Sequence, residues 1–98
     1  MSEKINNDSV RRNTDANRFE MDIGEELAVV DYHLGTGKMV ITHTFVPPAA
    51  RGQGVAEKLV RSALEAARTE GLSVVPECSY VAAFIKRHPE FHSLLALT

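Results

Sequence analysis

The stretch Arg51-Gly52-Gln53-Gly54-Val55-Ala56 sets two glycines and an arginine between a Thr/Val-rich run and a periodic apolar segment. A strand that feeds a glycine turn and then a helix aims several unpaired backbone N–H groups in one direction, and the helix dipole adds partial positive charge there. Such a turn suits an anion, a phosphate above all. Gly52 and Gly54 have no Cβ, so a phosphate can come close to the backbone and the chain can take positive φ. The same glycines would equally serve a turn that binds nothing. No Gly-Lys-Ser/Thr is present and the spacing is not Gly-x-Gly-x-x-Gly, which removes support for nucleotide hydrolysis and hydride transfer. Cys78 is the second reactive residue. It follows a short apolar run and precedes an expected helix, where the dipole favours thiolate; the competing reading is a small buried hydrophobe.

The elements that position these groups follow from periodicity. Phe19, Met21 and Ile23 alternate with Glu20 and Asp22, which predicts a half-buried strand. Gly24-Glu25 makes a turn, "ELAVVDYHL" (26–34) a second strand, and Gly35-Thr36-Gly37 a hairpin connection. "KMVITHTFV" (38–46) is a third strand, halted by Pro47-Pro48. Ala56, Leu59, Val60, Ala63, Leu64 and Ala67 then fall on one face of a helix, with Glu57, Arg61 and Glu65 spaced by four on another. Gly71 closes it, "LSVVP" (72–76) returns as a buried strand, and Ser79 caps a second helix that Pro89 stops. Phe91, Leu94, Leu95 and Leu97 pack the chain end against the sheet. The predicted order is βββαβα, an α/β (α+β) architecture with helices packed on the sheet. Residues 1–16, polar and rich in Asn, Asp and Ser, read as a flexible arm, and residues 17–98 as one compact domain.

Composition restricts the partners. The 98 residues suit one small core, and a net charge of −2 gives no global attraction to nucleic acid. Lys86, Arg87 and His88 form a small basic cluster that reads as a solvated helix end, so no nucleic-acid partner is expected. His88, Glu90 and His92 flank a proline without helical spacing, and no metal is expected either. One cysteine, no secretory leader pattern and no apolar run of about 20 residues give a cytoplasmic expectation with no membrane partner. Monomer and homodimer are both open.

Residues 51–56 match the Q/R-x-x-G-x-G/A signature of the GNAT N-acetyltransferase superfamily, and "HTFVPPAARGQGVAEKLV" with "VPECSYVAAFIKRHPEF" resembles its short single-domain subfamily of about one hundred residues. The resemblance covers most of residues 17–92. It implies acetyl-CoA, or coenzyme A, as co-substrate: the amides of Arg51, Gly52, Gln53, Gly54, Val55 and Ala56 would hold the pyrophosphate. The backbone of Thr44, Phe45 and Val46 would pair with the pantetheine arm, and Cys78 would lie near the thioester. Cys78 is then a nucleophile, a proton donor or a packing residue. Many larger members carry a general-acid tyrosine where this chain has Ile85, which leaves Tyr80, Cys78 or water as donor, Tyr80 being otherwise a core aromatic. Many relatives use a glutamate base where this chain offers His43, otherwise a structural residue. The acceptor implied is a primary amine, either a small amine or a protein lysine. The alternative is a non-catalytic acyl-CoA sensor or interaction module.

Overall fold

Four antiparallel strands come first in the computed structural model, which describes residues 10–96: β1 (Val10–Asn13), β2 (Arg18–Ile23), β3 (Glu26–Gly35) and β4 (Lys38–Phe45). Helix α1 (Val55–Thr69) then carries the chain over the sheet, so that β5 (Ser73–Pro76) lies parallel to β4, and α2 (Ser79–Arg87) follows. A parallel neighbour needs such a crossover, whereas antiparallel strands are joined by short turns. The spatial order is β1-β2-β3-β4-β5.

The period-2 pattern buries one face. Phe19 and Met21 of β2 sit opposite Val30 and Ala28 of β3, and Met39, Ile41 and Val74 continue that layer across β4 and β5. Onto it α1 lays Leu59, Val60, Ala63, Leu64 and Ala67, the predicted stripe, while Ala56 is only half-buried. Val81, Phe84 and Ile85 of α2 join the same core, followed by Phe91 and Leu94 of a 3-10 turn at Pro89–Leu94. Arg61 ties the helices together: its guanidinium lies 5.5 Å from the ring centres of Phe84 and of Phe91. Burial of large side chains such as Phe84 dominates stability, truncation of a buried aromatic costing about 3–5 kcal/mol. The opposite sheet face, with Val29, Asp31, Val40 and Val75 half-buried and His33 exposed, has no helix over it among the described residues.

The element order is therefore ββββαβα, one strand longer than the predicted βββαβα. Residues 10–13, expected within the flexible arm, pair with residues 18–21 of β2. Ion pairs hold this strand where apolar alternation is absent. On the open face Arg11 reaches Glu20 at 3.0 Å and Asp22 at 2.9 Å. On the helix face Arg12 donates to the Tyr32 hydroxyl at 2.9 Å, lies over Phe19 and pairs with Glu70 just beyond the end of α1. Residues 1–9 of the expected arm, and Leu97 of the expected chain-end packing, lie outside the described residues.

Glu20 is the one buried charged residue among those described, 3% exposed. The covering groups are its own partners: Arg18 and Asn13 donate to one oxygen at 2.6 and 3.0 Å, and Arg11 to the other at 3.0 Å. The Arg18 hydrogen bond first, and Asn13 next, hold its carboxyl below the ordinary glutamate value, against the effect of burial. A carboxyl with a lowered folded value contributes stability above the unfolded value of about 4.3 and loses it as pH falls through the folded value. Urea titrations are expected to show Glu20→Ala less stable by about 1–3 kcal/mol, because guanidinium groups lose their acceptor. Glu20→Gln is expected to flatten the acid-side loss of stability below about pH 4.3.

Candidate functional site

β4 parts from β5 halfway along. Their pairing runs from Lys38–Ser73 to Ile41–Pro76 and stops, since proline has no N–H to offer the ladder. The Ile41 carbonyl instead accepts from the amides of Glu77 and Cys78 at 3.0 and 3.1 Å, and the chain turns into α2 with Cys78 as its N-cap. Beyond Ile41, residues 43–45 of β4 stay paired with β3, and no strand lies on their other side among the described residues. This is an open strand edge of the kind that can take an extended, amide-bearing ligand.

The glycine turn sits at the end of that edge. After a 3-10 turn at Pro48–Ala50, Gly52 and Gly54 take φ of 82° and 81°, a left-handed conformation with open space where a Cβ would stand. Gly54 is the N-cap of α1; no side chain caps the helix, and its first intrahelical bond is Lys58 N–H to the Gly54 carbonyl at 3.1 Å. The amides of Val55, Ala56 and Glu57 therefore have no acceptor among the described residues, and the helix dipole reinforces them. The polar side chains of the turn fold back. Arg51 Nε donates to the Val46 carbonyl at 2.9 Å, with its guanidinium 6.0 Å from the Phe45 ring centre, and Gln53 donates to the Ala49 carbonyl at 3.1 Å. They brace the loop, and what the turn presents outward is backbone.

A cavity of ≈ 240 Å³ opens between this turn and α2, lined by Val46, Ala50, Arg51, Gly52, Gly54, Val55, Ala56, Glu57 and Tyr80. A wider hollow of ≈ 630 Å³ runs along α1 from Gly54 to Glu65; none of Cys78, Tyr80 and His43 lines it. Tyr80 is half-buried against the core, 6.4 Å from Phe84 between ring centres. Burial pushes its phenol above the usual tyrosine value; the Glu57 carboxylate adds to the rise and Arg87 opposes it. The group stays a proton donor throughout the physiological range. Ile85 is fully buried, so its position offers no donor.

Cys78 and Thr44 meet across the opening, Sγ to Oγ1 at 3.5 Å, both half-buried. His43 lies elsewhere. The β3–β4 register passes from Tyr32–Ile41 to Asp31–His43, which leaves Thr42 as an extra residue in a β-bulge. The bulge puts Thr44 opposite the buried Val30 and turns His43 to the open face, where its Nδ1 lies 3.1 Å from Asp31 Oδ2. The sequence-predicted groups thus separate into two sets: the turn, Val46 and Tyr80 around the cavity, with Cys78 and Thr44 at the strand opening, and His43 on the far face of the same strand. Asp31 escaped sequence reasoning. Counting back from the hairpin, without a bulge, sets it opposite Thr42.

The glycine conformations carry a direct consequence. Gly52→Ala and Gly54→Ala are each expected to lower stability by about 1–2 kcal/mol through left-handed backbone alone, since no neighbour obstructs the added methyl. Urea unfolding of each variant measures it.

A family model described as GCN5-related N-acetyl-transferase matches residues 18–94. Protein NATD1 of Bos taurus is 38% identical over 55 residues, which span 54% of this chain and 49% of that protein. Protein NATD1 of Xenopus tropicalis is 32% identical over 57 residues, 58% of this chain and 52% of that protein. The matched region spans about half the length of these curated relatives. The NMR structure of a GCN5-like putative N-acetyltransferase from Staphylococcus aureus aligns with a TM-score of 0.74 over 96% of this chain and 93% of that one, at 24% identity. At that identity the likeness establishes a shared fold.

Proposed function

The chain belongs to the GCN5-related N-acetyltransferase family, and on that premise we propose that it binds acetyl-CoA at the β4–α1 turn and transfers the acetyl group to a primary amine. The observation that carries this reading is the continuity of the open β4 edge with a turn whose backbone amides have no acceptor among the described residues. Amides in such a strand edge suit the pantetheine arm, and the turn suits its pyrophosphate. The thioester then falls beside Cys78 and Thr44. Tyr80, whose hydroxyl is kept protonated in the same cavity region, returns a proton to the departing thiolate. His43 takes the proton of the attacking amine from the open face.

The acceptor we infer is a small amine or an exposed lysine of a protein. Connections between the first four strands are short, and no helix stands over the open face among the described residues. Little is available there to enclose a large ligand. The single cysteine, free in this fold, suits a reducing compartment such as the cytoplasm. Ile85 favours a second reading, an acyl-CoA-binding module without turnover, because the usual donor position is apolar and buried.

Calorimetric titration with acetyl-CoA decides first: binding is expected, and its absence sinks the acetyl-CoA reading. Given binding, Tyr80→Phe is expected to lower kcat by about a hundredfold or more while leaving acetyl-CoA affinity unchanged. Binding with no transfer to any amine in an acceptor screen would select the sensor. Intact-mass measurement with and without Cys78→Ala separates the chemical routes. A Cys78-dependent acetyl adduct that is discharged by added amine marks a covalent intermediate, and no adduct marks direct transfer.

A further inference from the structure

We propose that Asp31 is a positioning residue for His43: its carboxylate fixes the imidazole with the proton on Nδ1 and leaves Nε2 as the free base on the open face of the sheet. This rests on the acetyl-transfer reading for its purpose, and on geometry for the contact. An ionised carboxylate only accepts hydrogen bonds, so a neutral ring whose Nδ1 lies 3.1 Å from Asp31 Oδ2 must carry its proton there. The His43 side chain is 60% exposed and the Asp31 side chain 36%, so the ring remains accessible to an acceptor while the carboxylate is the more enclosed partner.

Two observations set this pair apart from a chance surface contact. The first is the bulge at Thr42. An unbroken hairpin register would set His43 opposite Val30 with its ring in the buried layer, and the extra residue instead places it beside Asp31. Thr42 Oγ1 also donates to the Asp31 carbonyl at 3.4 Å, which links the bulge to the residue it serves. The second is selectivity. His88 and His92 contact backbone carbonyls, and His43 is the one imidazole paired with a carboxylate among the described residues.

The chemistry balances as follows. His43 Nε2 takes a proton from the amine as the nitrogen pair forms the new C–N bond to the thioester carbonyl carbon. The C–S bond breaks with its electrons on sulfur, and the thiolate takes a proton from Tyr80. His43 becomes an imidazolium facing the Asp31 carboxylate and then gives its proton to solvent, from which the Tyr80 phenolate regains its own. The carboxylate thereby sets the ring's orientation before the step and stabilises its charge after it.

The test uses the full chain labelled with ¹⁵N and reads the imidazole nitrogens by two-bond ¹H–¹⁵N correlation at about pH 8.5, some two units above the ordinary imidazole value of about 6.5. The expected result is an Nδ1–H ring for His43 in the wild type and an Nε2–H ring in Asp31→Ala. An Nε2–H ring in the folded wild type overturns the proposal. This readout needs neither acetyl-CoA nor acceptor, so it decides the Asp31 contact even where calorimetry has removed the acetyl-transfer reading. With activity in hand, Asp31→Asn is expected to lower kcat by about 10- to 100-fold with KM for acetyl-CoA little changed, and to add nothing in a His43→Ala background. An equal further loss in that background shows that Asp31 acts without His43 and overturns it too.

Discussion

At Ile41 the fourth strand loses one neighbour and changes register with the other, and the rest of the molecule is arranged around that point. On one side Pro76 ends the parallel ladder, and the Ile41 carbonyl turns to the amides of Glu77 and Cys78. That substitution satisfies a polar group that would otherwise be left buried and directs the chain into α2. It fixes Cys78 at the helix start and Tyr80 just inside it, near the cavity mouth. On the other side the Thr42 bulge reverses which residues face the core. A parting of strands and a change of side-chain parity therefore coincide within two residues, and every candidate reactive group lies within reach of this junction or of the turn that follows it.

The start of α1 shows local stability given up for a surface that can bind. Most helices begin with Ser, Thr, Asp or Asn, whose side chains satisfy an early amide. Here the N-cap is a left-handed glycine with no capping bond, and Arg51 and Gln53 turn toward carbonyls of the preceding loop. The helix can tolerate this start because its interior is well anchored. Leu59, Val60, Ala63, Leu64 and Ala67 are all buried, and such packing outweighs one missing cap. Departures of this kind from local rules are concentrated where a protein meets its ligands.

Much of this was legible in the sequence wherever one physical signal dominated. The α1 stripe, the hairpin turns at Gly24 and Gly37, and the glycine turn before α1 all follow from periodicity or from backbone freedom. β1 was not legible, because Val10-Arg11-Arg12-Asn13 has no apolar alternation; it is a strand by virtue of carboxylates on β2 and beyond the end of α1. Nor was the Asp31–His43 pair, since a bulge leaves no mark that pattern counting detects and shifts every partner beyond it by one. The back-folding of Arg51 depends on a Val46 carbonyl whose direction only the three-dimensional loop determines.

The arginines of β1 bear on something other than the stability of the strand they hold. An open sheet ends in two edges, and an unprotected edge is a template on which a further chain can add. At one edge β5 is partly covered by the chain end, through a bridge from Val74 to Leu95 and a bond from the Ala96 amide to the Val74 carbonyl at 3.0 Å. At the other, β1 is the last of the described strands, and it is short, with a charged side chain on each face of the sheet. A newcomer pairing there would have to crowd or desolvate guanidinium groups already engaged with Glu20, Asp22 and Glu70. The residues that fasten the first strand thus also discourage edge-to-edge growth at that end of the described sheet.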